Sequence, residues 1–203
     1  MKVLLATNNK NKAREIREII DRDDVEIFTL ADLNLNSDPE ETGTTFLENA
    51  TLKAESARTA ATDAGICDCY IVADDSGLCV DALDGGPGVY SARYAEVNGQ
   101  RCTYADNNRK MLDALKGIED ADRGAHFETS AVMIKPDGTL IEATGKLHGK
   151  IGTQEIGENG FGYDPIFYPE GMDKTLAELN AEEKDAISHR GQAFRNLFLK
   201  VVN

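Results

Sequence analysis

Near the C-terminus a lysine, a hydroxyl, an imidazole and a guanidinium fall within seven positions, at Lys184, Ser188, His189 and Arg190. Ser188 can cap a helix that continues through Phe194, Leu197 and Val201, which places His189 and Arg190 in its first turn, where backbone N–H groups favour an anion. Cations at that end oppose the helix dipole. The arrangement suits an anionic or carbonyl-rich ligand that offsets the cost. The plainer reading pairs Arg190 with Glu182 or Glu183 on a solvated face. If Arg190 serves a ligand instead, its removal leaves the stability of the fold nearly unchanged.

Further polar clusters sit beside apolar runs. Thr7-Asn8-Asn9-Lys10-Asn11-Lys12 supplies a hydroxyl, amides and two lysines next to a helix start, a combination able to cradle phosphates through backbone N–H groups and ammonium charge. It contains no Gly-Lys-Ser/Thr, so it is not a Walker loop. Asp74-Asp75-Ser76-Gly77 ends a second apolar run. Adjacent residues of a strand alternate faces, so one carboxylate of the pair serves a given site. Asp75, nearest the loop, is assigned that role, with Mg²⁺ as its oxygen-seeking partner; the competing reading is an Asp-Ser-Gly turn bonded to its own backbone. Glu40-Glu41-Thr42-Gly43, with Glu48 and Lys53 downstream, adds carboxylates before a helix and a cation on it. Phe161-Gly162-Tyr163-Asp164 offers aromatic faces and a carboxylate to a flat ligand, or simply opens a core strand.

The elements that must position these groups alternate between strand and helix. Lys2–Ala6 reads as a buried strand, Ala13–Ile20 as a helix with Ile16, Ile19 and Ile20 on one face, and Val25–Phe28 as a second strand. A long helix is expected from Thr45 to about Ala64, stopped at Gly65. Tyr70–Ala73 is a further buried strand, with Leu78–Val80 resuming after the Asp-Asp-Ser-Gly segment. Residues 101–116 read as a helix. His126–Ile134 and Thr139–Ala143 flank Lys135-Pro136-Asp137-Gly138 as a hairpin. The pattern is α/β, one domain over residues 1–203 with a mixed sheet flanked by helices.

The 203 residues carry a formal net charge of −14, which argues against a general nucleic-acid binder, since that class needs a basic face. No stretch has signal-peptide or membrane-span character, which points to the cytoplasm and away from a membrane. Four cysteines, Cys67, Cys69, Cys79 and Cys102, lack the spacing of a zinc site.

Taken together, seven segments in order along the chain resemble the inosine/xanthosine triphosphate pyrophosphatase family: Thr7-Asn8-Asn9 with Lys12 and Glu15; Glu40-Glu41-Thr42-Gly43; Phe46-x-Glu48-Asn49-Ala50-x-x-Lys53-Ala54; Ala73-Asp74-Asp75-Ser76-Gly77-Leu78; Gly86 through Tyr94; Gly160-Phe161-Gly162-Tyr163-Asp164-Pro165; and Glu183-Lys184-x-Ala186-x-Ser188-His189-Arg190-Gly191. Asn8 departs from the glycine that many relatives carry there.

The resemblance implies a long twisted mixed β-sheet flanked by helices, two lobes with a central nucleotide cleft, and a homodimer. It implies a hydrolase that converts non-standard purine nucleoside triphosphates (ITP, dITP, XTP) to monophosphate and pyrophosphate with Mg²⁺, cleansing the nucleotide pool. By matched position Asp75 is catalytic and, with Glu40 or Glu41, meets the metal. Thr7, Asn8, Asn9, Lys10, Asn11, Lys12 and Lys53 face the triphosphate; Ser76, Phe161, Gly162, Tyr163, Asp164, Lys184, His189 and Arg190 contact the nucleotide. His189 and Arg190 can donate to O6 of a 6-oxopurine, where adenine presents a donor of its own. Two other readings compete: a Maf-like nucleotide pyrophosphatase, which lacks the Ser-His-Arg and Phe-Gly-Tyr-Asp segments, and a nucleotide sensor without turnover, which has no need of a hydrolytic carboxylate set.

Overall fold

The computed structural model describes residues 1–202, the side chain of Val202 excepted. Six strands, β1 (Lys2–Leu5), β2 (Glu26–Thr29), β3 (Tyr70–Val80), β4 (Gly124–Ile134), β5 (Leu140–Ile151) and β6 (Phe167–Pro169), form one sheet in the order β2-β1-β3-β4-β5-β6. It is mixed: β1 runs parallel to β2 and β3, and β5 antiparallel to β6. Among the described residues five α-helices accompany it, α1 (Lys10–Ile19), α2 (Phe46–Asp63), α3 (Tyr104–Ala114), α4 (Ala181–Ile187) and α5 (His189–Val202). The chain divides into two compact units, residues 1–75, 129–145 and 189–203 in one, and 76–128 and 146–188 in the other.

In the first unit both sheet faces are apolar. Val3, Leu5, Val72, Ala131, Met133 and Ala143 pack with Ile16, Phe194 and Leu197 of α1 and α5. The alternate residues Leu4, Ile71, Ala73, Val132 and Ile134 pack under Ala50, Ala54, Ala57 and Ala61 of α2. This is why β1 and the start of β3 read as unbroken apolar runs: each strand must satisfy a helix on either side. Helix α2 begins where the sequence predicts it, because Thr45 accepts from the Glu48 N–H while the Glu48 carboxylate accepts from the Thr44 and Thr45 N–H groups. Glu48 is therefore a capping group.

The second unit has its own core, in which Leu78, Val80, Ala125, Phe127 and Ile151 meet Met111 and Leu115 of α3, Phe167 of β6, and Ile166 and Leu176. The hairpin between β4 and β5 turns at the expected place, held by Gly138 N–H to Lys135 O at 2.9 Å and Thr139 N–H to the Asp137 carboxylate at 2.8 Å.

One expectation fails. Asp74-Asp75-Ser76-Gly77 does not leave the sheet; β3 runs continuously through it for 11 residues. A turn would expose the carboxylates to water, whereas lysine and arginine side chains here neutralise them inside the fold, so the ladder continues.

In the first unit α5 lies directly on β5 at Gly145. A Cβ at that position would stand 2.1 Å from His189 O and 2.6 Å from Ala193 N. These are backbone atoms, which cannot rotate away. Gly145→Ala is expected to cost about 3 kcal/mol, the upper end for overpacking. For a chain of this size that is roughly 6–12 °C in Tm, read by calorimetry.

Candidate active site

The first unit gathers its charged groups on β3. Asp74 and Asp75 alternate as strand geometry requires, Asp74 on the face of Val72 under α1 and α5, Asp75 on the face of Ala73 under α2. Both are buried, at 3% and 5% exposure. Each meets cations from its own side.

On the α1 and α5 face, Lys12 Nζ lies 3.0 Å from Asp74 Oδ2 and the Arg190 guanidinium 3.5 Å from the same oxygen. Arg190 Nη1 also donates to Glu15 Oε2 at 2.6 Å. Glu15 is buried, on the inner face of α1 three residues after Lys12. Burial raises the Asp74 pKa, and the positive charges of Lys12, Arg190 and Lys53 more than offset it, holding the carboxyl well below the ordinary carboxylate range. Lys12 itself is pushed down by burial, only partly countered by Asp74.

On the α2 face, Lys53 Nζ lies 2.6 Å from Asp75 Oδ1 and 3.1 Å from Glu41 Oε1. Asn49, fully buried on the inner face of α2, donates to Asp75 Oδ2 at 3.4 Å and accepts from the Gly43 N–H at 2.8 Å, tying the loop that carries Glu41 to the strand. Here the balance is reversed. Burial raises the Asp75 pKa more than Lys53 and Lys12 lower it, so the carboxylate is a stronger base than an exposed aspartate. Lys53 is lowered by burial, but Asp75 and Glu41 outweigh that and hold it above its ordinary value.

The loop before α1 is organised by its own side chains. Asn9 caps the helix by accepting from the Asn11 and Lys12 N–H groups at 3.0 and 3.2 Å, and the Thr7 hydroxyl accepts from Asn9 N–H at 3.1 Å. The helix-end donors expected to meet phosphate are thus engaged by Asn9. Exposed Asn8 donates to Ser37 O at 3.1 Å, Lys10 is exposed, and Asn11 is half-buried. Glu40 is exposed, and among the described residues it makes no ion pair, so of the two candidate glutamates Glu41 is the one brought to Asp75. Ser76 follows Asp75 in β3, half-buried.

In the second unit Asp164 organises the glycine-rich loop. Its Oδ2 accepts from the Phe161 N–H at 2.8 Å and from Lys184 Nζ at 2.7 Å. Gly160 has a φ of +74°, and a Cβ there would stand 2.1 Å from the same oxygen, so the tight approach needs glycine. Lys184 also stands 4.9 Å from the centroid of the half-buried Phe161 ring. Gly162 meets no neighbouring atom where a side chain would stand. Tyr163 departs from the nucleotide-contact expectation: its ring is 4% exposed within the core, and its hydroxyl donates to Ser91 O at 2.9 Å. It is a support for the loop.

The C-terminal segment also departs from expectation. Ser188 is extended, with ψ 148°, between α4 and α5, and α5 does begin at His189. Yet His189 and Arg190 are 5% and 3% exposed, and the arginine's partners are Glu15 and Asp74; Glu183 instead completes a capping box with Asn180. Neither a surface ion pair nor an arginine indifferent to stability describes it. Removing the guanidinium takes one buried cation from both carboxylates, and Arg190→Ala is expected to destabilise the protein by about 3–5 kcal/mol. Asp74, Glu15 and Asn49 lay outside the expected site residues. Their signal was a charged or polar residue on an otherwise apolar helix face or strand, which a fold tolerates only with a partner.

The two aspartates predict opposite stability effects. A carboxyl held below its ordinary pKa of 3.8 stabilises the fold above that pH and loses the contribution as pH falls through the folded value. One raised above 3.8 contributes most in acid and loses the contribution as pH rises through the folded value. At neutral pH, Asp74→Asn is therefore expected to lower stability by about 3–5 kcal/mol, as when one member of a buried pair is removed. Asp75→Asn is expected to cost less, because it relieves a carboxylate raised by burial while Lys53 loses Asp75 but keeps Glu41. Urea unfolding of the two variants in parallel checks the contrast.

These arrangements stand beside close sequence and structural relatives. The model of the Ham1 family matches residues 3–200. The chain is 49% identical to the dITP/XTP pyrophosphatase of Elusimicrobium minutum, over 99% of this chain and 100% of that one, and 46% identical to the dITP/XTP pyrophosphatase of Thermoanaerobacter pseudethanolicus, over 97% and 94%. Among solved structures it is similar to the Staphylococcus aureus Ham1 protein, with TM-score 0.82 and 40% identity over 100% of both chains, and to a HAM1 protein from Coxiella burnetii, with TM-score 0.83 and 38% identity over 100% and 98%. With its family model, its relatives and its fold in agreement over almost the whole length, the chain belongs to the Ham1 family.

Proposed function

We propose that this protein hydrolyses non-standard purine nucleoside triphosphates, dITP, ITP and XTP, to the monophosphate and pyrophosphate. The observation that carries the reading is the buried Asp75, held between Lys53 and Asn49 with Glu41 alongside, in a chain nearly half identical to dITP/XTP pyrophosphatases. A sensor that only binds would gain nothing from a carboxylate kept both buried and basic.

Asp75 is assigned to orient the attacking water and take its proton as the α–β anhydride is cleaved. Its raised pKa makes it the better base of the two aspartates. Lys53 keeps that carboxylate in place, and Lys12 and Lys53 supply positive charge to the triphosphate and the departing pyrophosphate. Thr7, Asn8, Asn9, Lys10 and Asn11 complete the phosphate-facing loop. The donor chemistry at Asp75 fits magnesium: two carboxylates, Asp75 and Glu41, share Lys53, all their donors are oxygens, and a hard divalent ion commonly takes one or two carboxylates with the remainder from water and substrate phosphate. Asp75 and Glu41 would hold the ion. When bound, Mg²⁺ neutralises triphosphate charge.

For the base, His189 and Arg190 are assigned as donors toward O6 of a 6-oxopurine, and Ser76, Phe161, Gly162, Asp164 and Lys184 as further nucleotide contacts. Because Arg190 also holds Glu15 and Asp74, its variants must be read by the ratio of inosine to adenosine nucleotide turnover, not by absolute rate. Among the described residues no helix is long and apolar enough to cross a membrane. A cytoplasmic homodimer completes the proposal.

The expected outcome is pyrophosphate release from dITP and XTP far faster than from dATP or dGTP, abolished by chelator. Asp75→Asn is expected to reduce turnover at least a hundredfold, roughly the contribution of a positioned acid–base group, while nucleotide binding is kept. Orthophosphate as the first product, or equal rates on dATP, contradicts the assignment.

A further inference from the structure

Helix α3 opens on Tyr104, which is 42% exposed although it is a large aromatic side chain. Its ring centroid lies 5.9 Å from that of Phe161, with the planes inclined by 42°. Both backbones are fixed. Thr103 and Asp106 form a capping box at the start of α3, and Asp164 holds the Phe161 N–H. The two rings therefore meet at their tips, each rooted in a hydrogen-bonded stretch of backbone, within one compact unit.

We propose that Tyr104 is a further substrate-binding residue that closes with Phe161 on the purine base of the substrate. The inference rests on the function proposed above, and adds to it a residue that none of the family-like segments contains. Two aromatic faces on either side of a planar heterocycle stand about 7 Å apart, twice the contact distance between carbon atoms. The present 5.9 Å is close to that spacing. Rotation of the exposed Tyr104 side chain, without movement of α3, brings its ring toward parallel. Lys184, 4.9 Å from the Phe161 centroid, adds positive charge beside the same ring and suits an electron-rich 6-oxopurine. Tyr104 is not part of the core formed by Met111, Leu115 and Leu78.

The test compares Tyr104→Ala and Tyr104→Phe with the parent protein by steady-state kinetics on dITP, by calorimetric titration with inosine monophosphate in the presence of chelator, and by melting. Loss of one base–aromatic stack, about 1–3 kcal/mol, corresponds to about a 5- to 150-fold weakening. Tyr104→Ala is expected to raise KM and the monophosphate Kd by a factor in that range, with kcat within about twofold and Tm unchanged, while Tyr104→Phe restores both constants, because the ring and not the hydroxyl makes the contact. The chain has no tryptophan, so quenching of its tyrosine emission by the monophosphate should weaken in both variants. Unchanged KM and Kd in Tyr104→Ala overturn the proposal, as does a loss in Tyr104→Phe equal to that in Tyr104→Ala. Failure of the parent protein to hydrolyse dITP would instead sink the proposed function, so the two failures are told apart.

Discussion

Two adjacent carboxylates inside one strand set the terms for the first unit. A strand sends Asp74 and Asp75 to opposite faces, and both carboxylates are buried, so each needs a cation brought from its own side. Lys12 on α1 and Arg190 on α5 serve one; Lys53 on α2 serves the other. The placement of three helices is thereby tied to two consecutive residues. Gly145, which lets α5 sit on the sheet at His189, and Asn9, which fixes the first turn of α1 and so the root of Lys12, serve the same end.

The two faces resolve the cost of burial differently. Around Asp74 the cations prevail over desolvation, and Arg190 is shared with Glu15, a buried group of charges that ties α1, β3 and α5 together. Around Asp75 desolvation prevails, leaving a carboxylate whose charge is under-compensated. Such a group is a poor structural element and a good base, and it invites a further cation. A stable ion cluster and a reactive carboxylate thus stand back to back. The first holds the strand that presents the second.

Much of this was legible in the sequence because it lies in local patterns. The capping box at Thr45 and Glu48, the Pro-Asp-Gly hairpin turn and the apolar runs of β1 and β3 follow from neighbouring residues. What was not legible depends on partners far along the chain. Asp-Asp-Ser-Gly carries turn residues, and only Lys12, Lys53 and Arg190, 22 to 116 positions away, make it a strand. Arg190 reads as a ligand-binding cation at a helix start; its buried bond to Glu15, 175 positions distant, has no local signature. Tyr163, read as a nucleotide contact from its glycine-flanked position, is drawn inward by Ser91, 72 positions before it. Of Glu40 and Glu41, adjacent and chemically equivalent in the sequence, only the reach of Lys53 distinguishes one.

Burial and charge separate the acidities of the two neighbouring aspartates in opposite directions. Carbon-13 NMR titration of the side-chain carboxyls, assigned with Asp74→Asn and Asp75→Asn, measures this directly in the metal-free protein. Asp75 is expected to titrate above the ordinary value of 3.8 while Asp74 remains ionised well below it. Two resonances titrating together near 3.8, or in the reverse order, would contradict it.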